Sequence, residues 1–234
     1  MMTGIPGIPT ETVTLALPRL WTGNASKPAV IVCPGSGERY PWSVQPIAAP
    51  LTNALVAAGF PVACATPIEQ WGNDNARNWI TSIRTYMQSP AVGAKPGKIG
   101  LIGLSQGACN VLSWAGANPT LTGAVTGYLP ATNLQSFKSA ANAAYGGNYN
   151  DATMGATYNP QTMAAAGKYA GIPIELVHAS NDTIVPLSMV QAFKNAVGAN
   201  AVMRNGGATG HEWTVITSDP TILPALISQM NAIT

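Results

Sequence analysis

With 234 residues, 47% of them hydrophobic, the chain has ample material for a large buried core, and one domain spanning 1–234 is the expectation. Charged residues make up only 9%, against about 25% in typical soluble domains. A net charge of +2 with no Lys/Arg cluster argues against nucleic acid or an anionic membrane surface as a partner.

The first nine residues are rich in Gly and Pro and read as an extended arm. They show no basic stretch followed by an apolar core, so no signal peptide is expected from them. Residues 11–17 alternate (ETVTLAL), the pattern of a strand with one buried face. Pro28 introduces the continuous apolar run Ala29-Val30-Ile31-Val32-Cys33, which suits a parallel strand covered on both sides. A helix is predicted over 44–58, a second buried strand over 61–65 and a helix over 74–88, whose apolar positions fall at helical spacing. A third strand covers 98–103, and a small-residue helix runs from Gln106 to about Ala117. A fourth strand covers 124–129. Residues 131–159 are rich in Ala, Asn, Gly and Tyr and show no clear period. Pro160 starts a helix over 161–168, since Pro is tolerated at the first helical position. A strand over 173–178, a helix over 188–197, a strand over 201–204 and a closing helix from about 221 complete the chain. This alternation predicts an α/β fold with a doubly wound, mostly parallel sheet and helices on both faces. No apolar run is long enough for a membrane span, which takes about 18–20 residues.

Chemistry concentrates where a strand meets a helix. Gly103-Leu104-Ser105-Gln106-Gly107 fits G-x-S-x-G between a buried strand and a helix, the setting in which a sharp turn exposes a serine hydroxyl. A serine hydroxyl is a weak nucleophile and needs a base. In the fold that uses this turn, an acid and then a histidine follow the serine in chain order. The acid is expected after the fifth strand, where Asp182 lies, with Asp151 and Asp219 as fallbacks. Two histidines follow the serine. His178 precedes the acid and reads as a hydrogen-bonded strand-end residue, whereas His211 lies in the Gly-rich loop after the last strand and reads as the base. The oxyanion donors are assigned to the backbone N–H groups of Gln106 and of Ser36, the latter in Pro34-Gly35-Ser36-Gly37 after the first buried strand. No Walker lysine follows that loop, so it is no phosphate cradle. Trp71, Tyr145, Tyr149 and Trp213 are candidate substrate contacts, although aromatics in loops more often serve as anchors. Glu38, Arg39 and Glu69 fall at the same end, with no role beyond an ion pair assigned to them, and Trp42 is a further candidate for the cleft rim.

The ordered set of Pro34 to Gly37, Gly103 to Gly107, Asp182 and His211 resembles the α/β-hydrolase superfamily, from about residue 28 to the end. PIELVHASNDTIVP is similar to the acid-bearing strand and loop of dienelactone-hydrolase-like esterases. Ser105-Gln106-Gly107-Ala108 resembles the elbow of cutinases and phage lysin B esterases. The chain departs from these relatives in several ways. Dienelactone hydrolases proper use cysteine where Ser105 stands, and the cutinase disulfide near the acid has no counterpart here. Pro34 stands where many relatives have histidine, and the N-terminal strands are fewer than the superfamily's eight-stranded set implies.

The resemblance implies a serine hydrolase acting on carboxylic esters through an acyl-enzyme, without a cofactor, and places either a small cap or lid or an open cleft at 131–159, where the superfamily inserts such segments. The partner is then a small-molecule, lipid or cell-envelope ester. Thioesters and amides would use the same residues. The three cysteines, Cys33, Cys64 and Cys109, and the two histidines match neither a disulfide framework nor a zinc site. The alternative is a virion, tail or other assembly component with this fold, either an esterase acting on an envelope or catalytically silent. The low charge suits that alternative, and the expected location stays open between cytoplasm and an exported or virion-associated setting.

Overall fold

The computed structural model describes residues 13–23, 26–38, 48–65 and 70–234. The predicted arm at 1–9, the first four residues of the predicted helix at 44–58, and Arg39, Trp42 and Glu69 lie outside them.

Among the described residues seven strands form one sheet: β1 (Thr14–Ala16), β2 (Pro28–Cys33), β3 (Val62–Cys64), β4 (Lys95–Leu104), β5 (Thr122–Tyr128), β6 (Ile174–His178) and β7 (Ala201–Asn205). Their order is β1-β3-β2-β4-β5-β6-β7. β1 is antiparallel to β3, and every other pairing is parallel. All six residues of β2 are buried, as are the last six of β4 and all five of β6. This two-sided burial explains the unbroken apolar sequences of β2 and of the buried part of β4, whereas in β6 Glu175 is buried against Arg204.

Helices cover both faces. On one side lie α2 (Asp74–Met87), α3 (Gln106–Ala117), α6 (Pro160–Ala165) and α7 (Leu187–Val197). Ile80, Ile83, Trp114, Met163 and Phe193 pack there against Ile31, Leu101 and Leu176 of the sheet. On the other side α1 (Ala49–Ala57) and α8 (Ile222–Asn231) bring Leu51, Leu55, Leu226 and Met230 against Val30, Val32 and Ile102. Side chains alternate along a strand, so β2 sends Ile31 to one core and Val30 and Val32 to the other.

Residues 131–159 contain more structure than their aperiodic sequence suggests. A 3₁₀ turn (Leu134–Phe137) leads into α4 (Lys138–Ala144), and α5 (Asp151–Tyr158) follows. These helices have seven and eight residues, too short to display an amphipathic period. Asparagines mark the starts of the 3₁₀ turn, α5 and α6 instead: the side chains of Asn133, Asn150 and Asn159 accept the N–H of Gln135, Ala152 and Gln161.

The chain places β3 on one side of β2 and then crosses to β4 on the other. The carboxyl ends of β2 and β4 therefore flank the crevice where the winding reverses, the usual position of ligand sites in such sheets. No helix among the described residues is long and apolar enough to cross a membrane.

Candidate active site

Ser105 stands at that crevice, between β4 and α3. Its backbone has φ 51° and ψ −117°, a left-handed conformation that L-residues rarely adopt. The surroundings hold it there. Ser105 N–H donates to Tyr128 O (2.9 Å), and Ser105 O accepts the N–H of Ala108 (3.1 Å) and of Ala131 (3.1 Å). The flanking glycines are required by contact. A Cβ at Gly103 would collide with the Ala108 backbone, and one at Gly107 with the carbonyl oxygens of Cys33 and Pro34. The G-x-S-x-G spacing thus records how closely α3 must pass the ends of β2 and β4.

Asp182 lies in the loop after β6, its side chain fully buried. Oδ1 accepts the N–H groups of Ile184 (2.8 Å) and Val185 (2.9 Å), which shapes the loop around the carboxylate. Oδ2 lies 2.8 Å from Nδ1 of His211, whose ring is 18% exposed. Nδ1–H donating to the carboxylate leaves Nε2 as the proton-accepting nitrogen. His178 is buried, and its Nε2–H donates to Val185 O at 2.8 Å. Its Nε2 is 3.9 Å from Asp182 Oδ2. It braces the Asp182 loop from behind.

Ser105 and His211 line one cavity of about 350 Å3, together with Gly35, Ser36, Glu38, Trp71, Leu104, Phe137, Ile184, Glu212 and Trp213. The cavity draws on the loops after β2, β4, β6 and β7. The opening residue of α3 is Gln106, whose N–H is one of the first-turn donors with no carbonyl partner inside the helix. The helix N-terminus also favours developing negative charge there.

Of the four proposed substrate contacts, Trp71 and Trp213 line this cavity, while Tyr145 and Tyr149 do not. The two tyrosines are anchors beneath the cap. Tyr145 OH donates to Trp71 O (2.8 Å), Tyr149 OH donates to Asp151 Oδ1 (2.5 Å), and their rings lie 5.0 Å apart. Asp151, a fallback for the acid, is engaged in this bond and in one from Asn159 (2.7 Å). Asp219, the other fallback, holds Thr221 through its Oδ1 and is engaged with that turn instead.

A polar row on α3 holds the Trp71 loop. In the orientation that satisfies its neighbours, the buried Gln106 amide oxygen accepts the N–H of Gln70 (2.8 Å) and Trp71 (3.1 Å). One turn on, Asn110 accepts Gly72 N–H (2.7 Å), and further along Ser113 donates to Gly72 O (2.7 Å). Trp71 is itself at φ 47° and lies 5.3 Å from the Phe137 ring. Sequence reasoning missed Phe137, Ile184, Glu212 and the contact of Glu38 with the cavity. Ile184 and Glu212 follow Asp182 and His211 closely enough for that proximity to have pointed to them.

All three cysteines are buried and free. Burial pushes the Cys109 thiol up to about 12 and that of Cys33 higher still. Among the described residues no group of three or more His, Cys, Asp or Glu side chains is placed to hold a metal ion.

No model of a protein family matches the chain, and no curated protein matches it in sequence. Solved structures do match in shape. FphF of Staphylococcus aureus, a fluorophosphonate-binding serine hydrolase, superposes with TM-score 0.78 at 12% identity, over 97% of this chain and 96% of its own. An S-formylglutathione hydrolase from Agrobacterium tumefaciens gives 0.76 at 12% identity, over 95% and 90%. A truncated carbohydrate esterase from gut microbiota gives 0.70 at 15%, over 94% and 89%. The chain has the α/β-hydrolase fold, and the structures it resembles are serine hydrolases and esterases.

Proposed function

We propose that the chain is a serine hydrolase that cleaves carboxylic esters through an acyl-enzyme on Ser105. The observation that carries this reading is the 2.8 Å Asp182–His211 pair opening on the same cavity as a serine held at a strained strand-to-helix turn. His211 Nε2 takes the Ser105 proton as Oγ attacks the ester carbonyl, and Asp182 stabilises the imidazolium. The N–H groups of Ser36 and Gln106 receive the oxyanion. His211 then protonates the departing alcohol, and water, activated the same way, releases the acid.

The cavity volume and its apolar wall of Trp71, Leu104, Phe137, Ile184 and Trp213 favour small esters. Two of the similar structures, a carbohydrate esterase and an S-formylglutathione hydrolase, carry out acyl transfer to water by name, in keeping with this reading. Hydrolysis of p-nitrophenyl acetate, butyrate and longer homologues tests the reading. The wild type turns over the short esters, and Ser105→Ala loses at least about 10^4-fold in kcat. Turnover in the wild type that equals the variant's would refute it and leave the assembly-component alternative standing.

A further inference from the structure

Glu38 belongs to no part of the triad, yet its carboxylate reaches the cavity. Each of its oxygens accepts a neutral donor at 2.5 Å: Gly35 N–H on Oε2 and the indole Nε1–H of Trp213 on Oε1. Gly35 lies in the loop after β2, immediately before Ser36. Trp213 lies in the loop after β7, two residues beyond His211. One side chain therefore joins the loop assigned to the oxyanion with the loop that carries the base.

Both ends of this link are fixed. Glu38 N–H donates to Gly35 O (3.4 Å), closing a turn that encloses Ser36 and Gly37. Trp213 is buried and packs on Tyr128 at 6.3 Å between ring centroids. The link also passes close to the nucleophile: a Cβ built on Gly35 would lie 3.3 Å from Glu38 Oε2 and 3.7 Å from Ser105 Cβ. Burial raises the Glu38 carboxyl and outweighs the two donors and the charge of His211, which favour the ionised form. Both oxygens accept well only in that form, because a protonated carboxyl gives up one acceptor. Charge-assisted bonds of this kind are roughly twice as strong as neutral ones.

We propose that Glu38 is a positioning residue that clamps the oxyanion loop to the histidine loop, keeping Ser36 N–H and the His211 ring in register over Ser105. This rests on the hydrolase reading above. The clamp acts on the transition state, so its loss lowers kcat more than it raises KM.

The test is steady-state ester hydrolysis by Glu38→Ala, Glu38→Gln and Trp213→Phe, with thermal melting as the control for folding. Trp213→Phe keeps an aromatic ring in the core and deletes the donor together with the bulk of the pyrrole ring, so melting reads the packing loss and Glu38→Gln, which leaves Trp213 in place, separates the two effects. Glu38→Ala is expected to lose about 10²-fold in kcat, the scale of one misplaced oxyanion donor, with KM within about threefold. Glu38→Gln keeps one good acceptor and is expected to recover part of that loss. Trp213→Phe is expected to lose kcat as well, and combining it with Glu38→Gln to add little. If Glu38→Ala fails to fold, the Trp213→Phe and Glu38→Gln pair decides the matter alone. Folded variants with wild-type kcat, or with losses confined to KM, or with losses that simply multiply, overturn the clamp while leaving the hydrolase reading intact. A wild type no faster than Ser105→Ala overturns both.

Discussion

Asp182 divides its oxygens between two tasks. Oδ1 shapes its own loop through Ile184 and Val185, and Oδ2 holds His211. Asp182→Asn can keep the first task, but it then turns an amide NH2 toward Nδ1 and forces the wrong tautomer. The expected outcome is a kcat lower by about 10^3–10^4-fold at an almost unchanged melting temperature. Kinetics and melting of the same preparation check both halves. Gly107 is constrained differently. An added methyl there meets two backbone carbonyls, of Cys33 and Pro34, rather than flexible side chains. Gly107→Ala is therefore expected to destabilise the protein by at least about 2 kcal/mol, read as a lower urea midpoint.

At the scale of elements, the cap hangs on Asn159, which is almost wholly buried. Its oxygen accepts the N–H of Leu134 (3.1 Å) and Gln161 (3.3 Å), and its amide donates to Asn133 (3.1 Å) and Asp151 (2.7 Å). Asn159→Ala leaves several of these groups unpaired and is expected to cost about 2–3 kcal/mol. Faster proteolysis within 131–159 would accompany that loss in a limited-digestion assay. The same element shows where a sequence stops being readable. β2 and the buried half of β4 announce themselves because burial on both faces demands unbroken apolar runs, while β6 keeps a buried Glu175 by pairing it with Arg204. The turn at Ser105 announces itself because two close approaches demand glycine. The roles expected of Asp182 and His211 come from chain order. α4 and α5 are too short for a period, α4 has no side-chain cap, and the asparagine that caps α5 resembles an ordinary turn residue. The Glu38–Trp213 bond spans 175 positions, so no local pattern could reveal it. The same holds for Gln106 gripping the Trp71 loop, and for Tyr145 and Tyr149, whose hydroxyls are engaged beneath the cap rather than in the cleft.

At the scale of the molecule, the low overall charge gives the cavity's own charges unusual weight. Glu38 and Glu212 line it, and no Lys or Arg does so among the described residues. A substrate with an anionic acyl group meets repulsion and finds no cation. An ester ending in a carboxylate is therefore expected to show a kcat/KM lower by about tenfold or more than its neutral isostere, a difference of roughly 1.4 kcal/mol. The gap should narrow for Glu212→Gln. Equal rates for matched p-nitrophenyl esters would contradict this view of the cavity.

The central claim concerns one oxygen atom, Oγ of Ser105. Its most direct test is covalent labelling with a fluorophosphonate, followed by intact mass and peptide mapping. A single adduct on Ser105, absent from Ser105→Ala and strongly slowed in His211→Ala, is the predicted result. No adduct on the folded wild type, or one on another residue, would contradict the account.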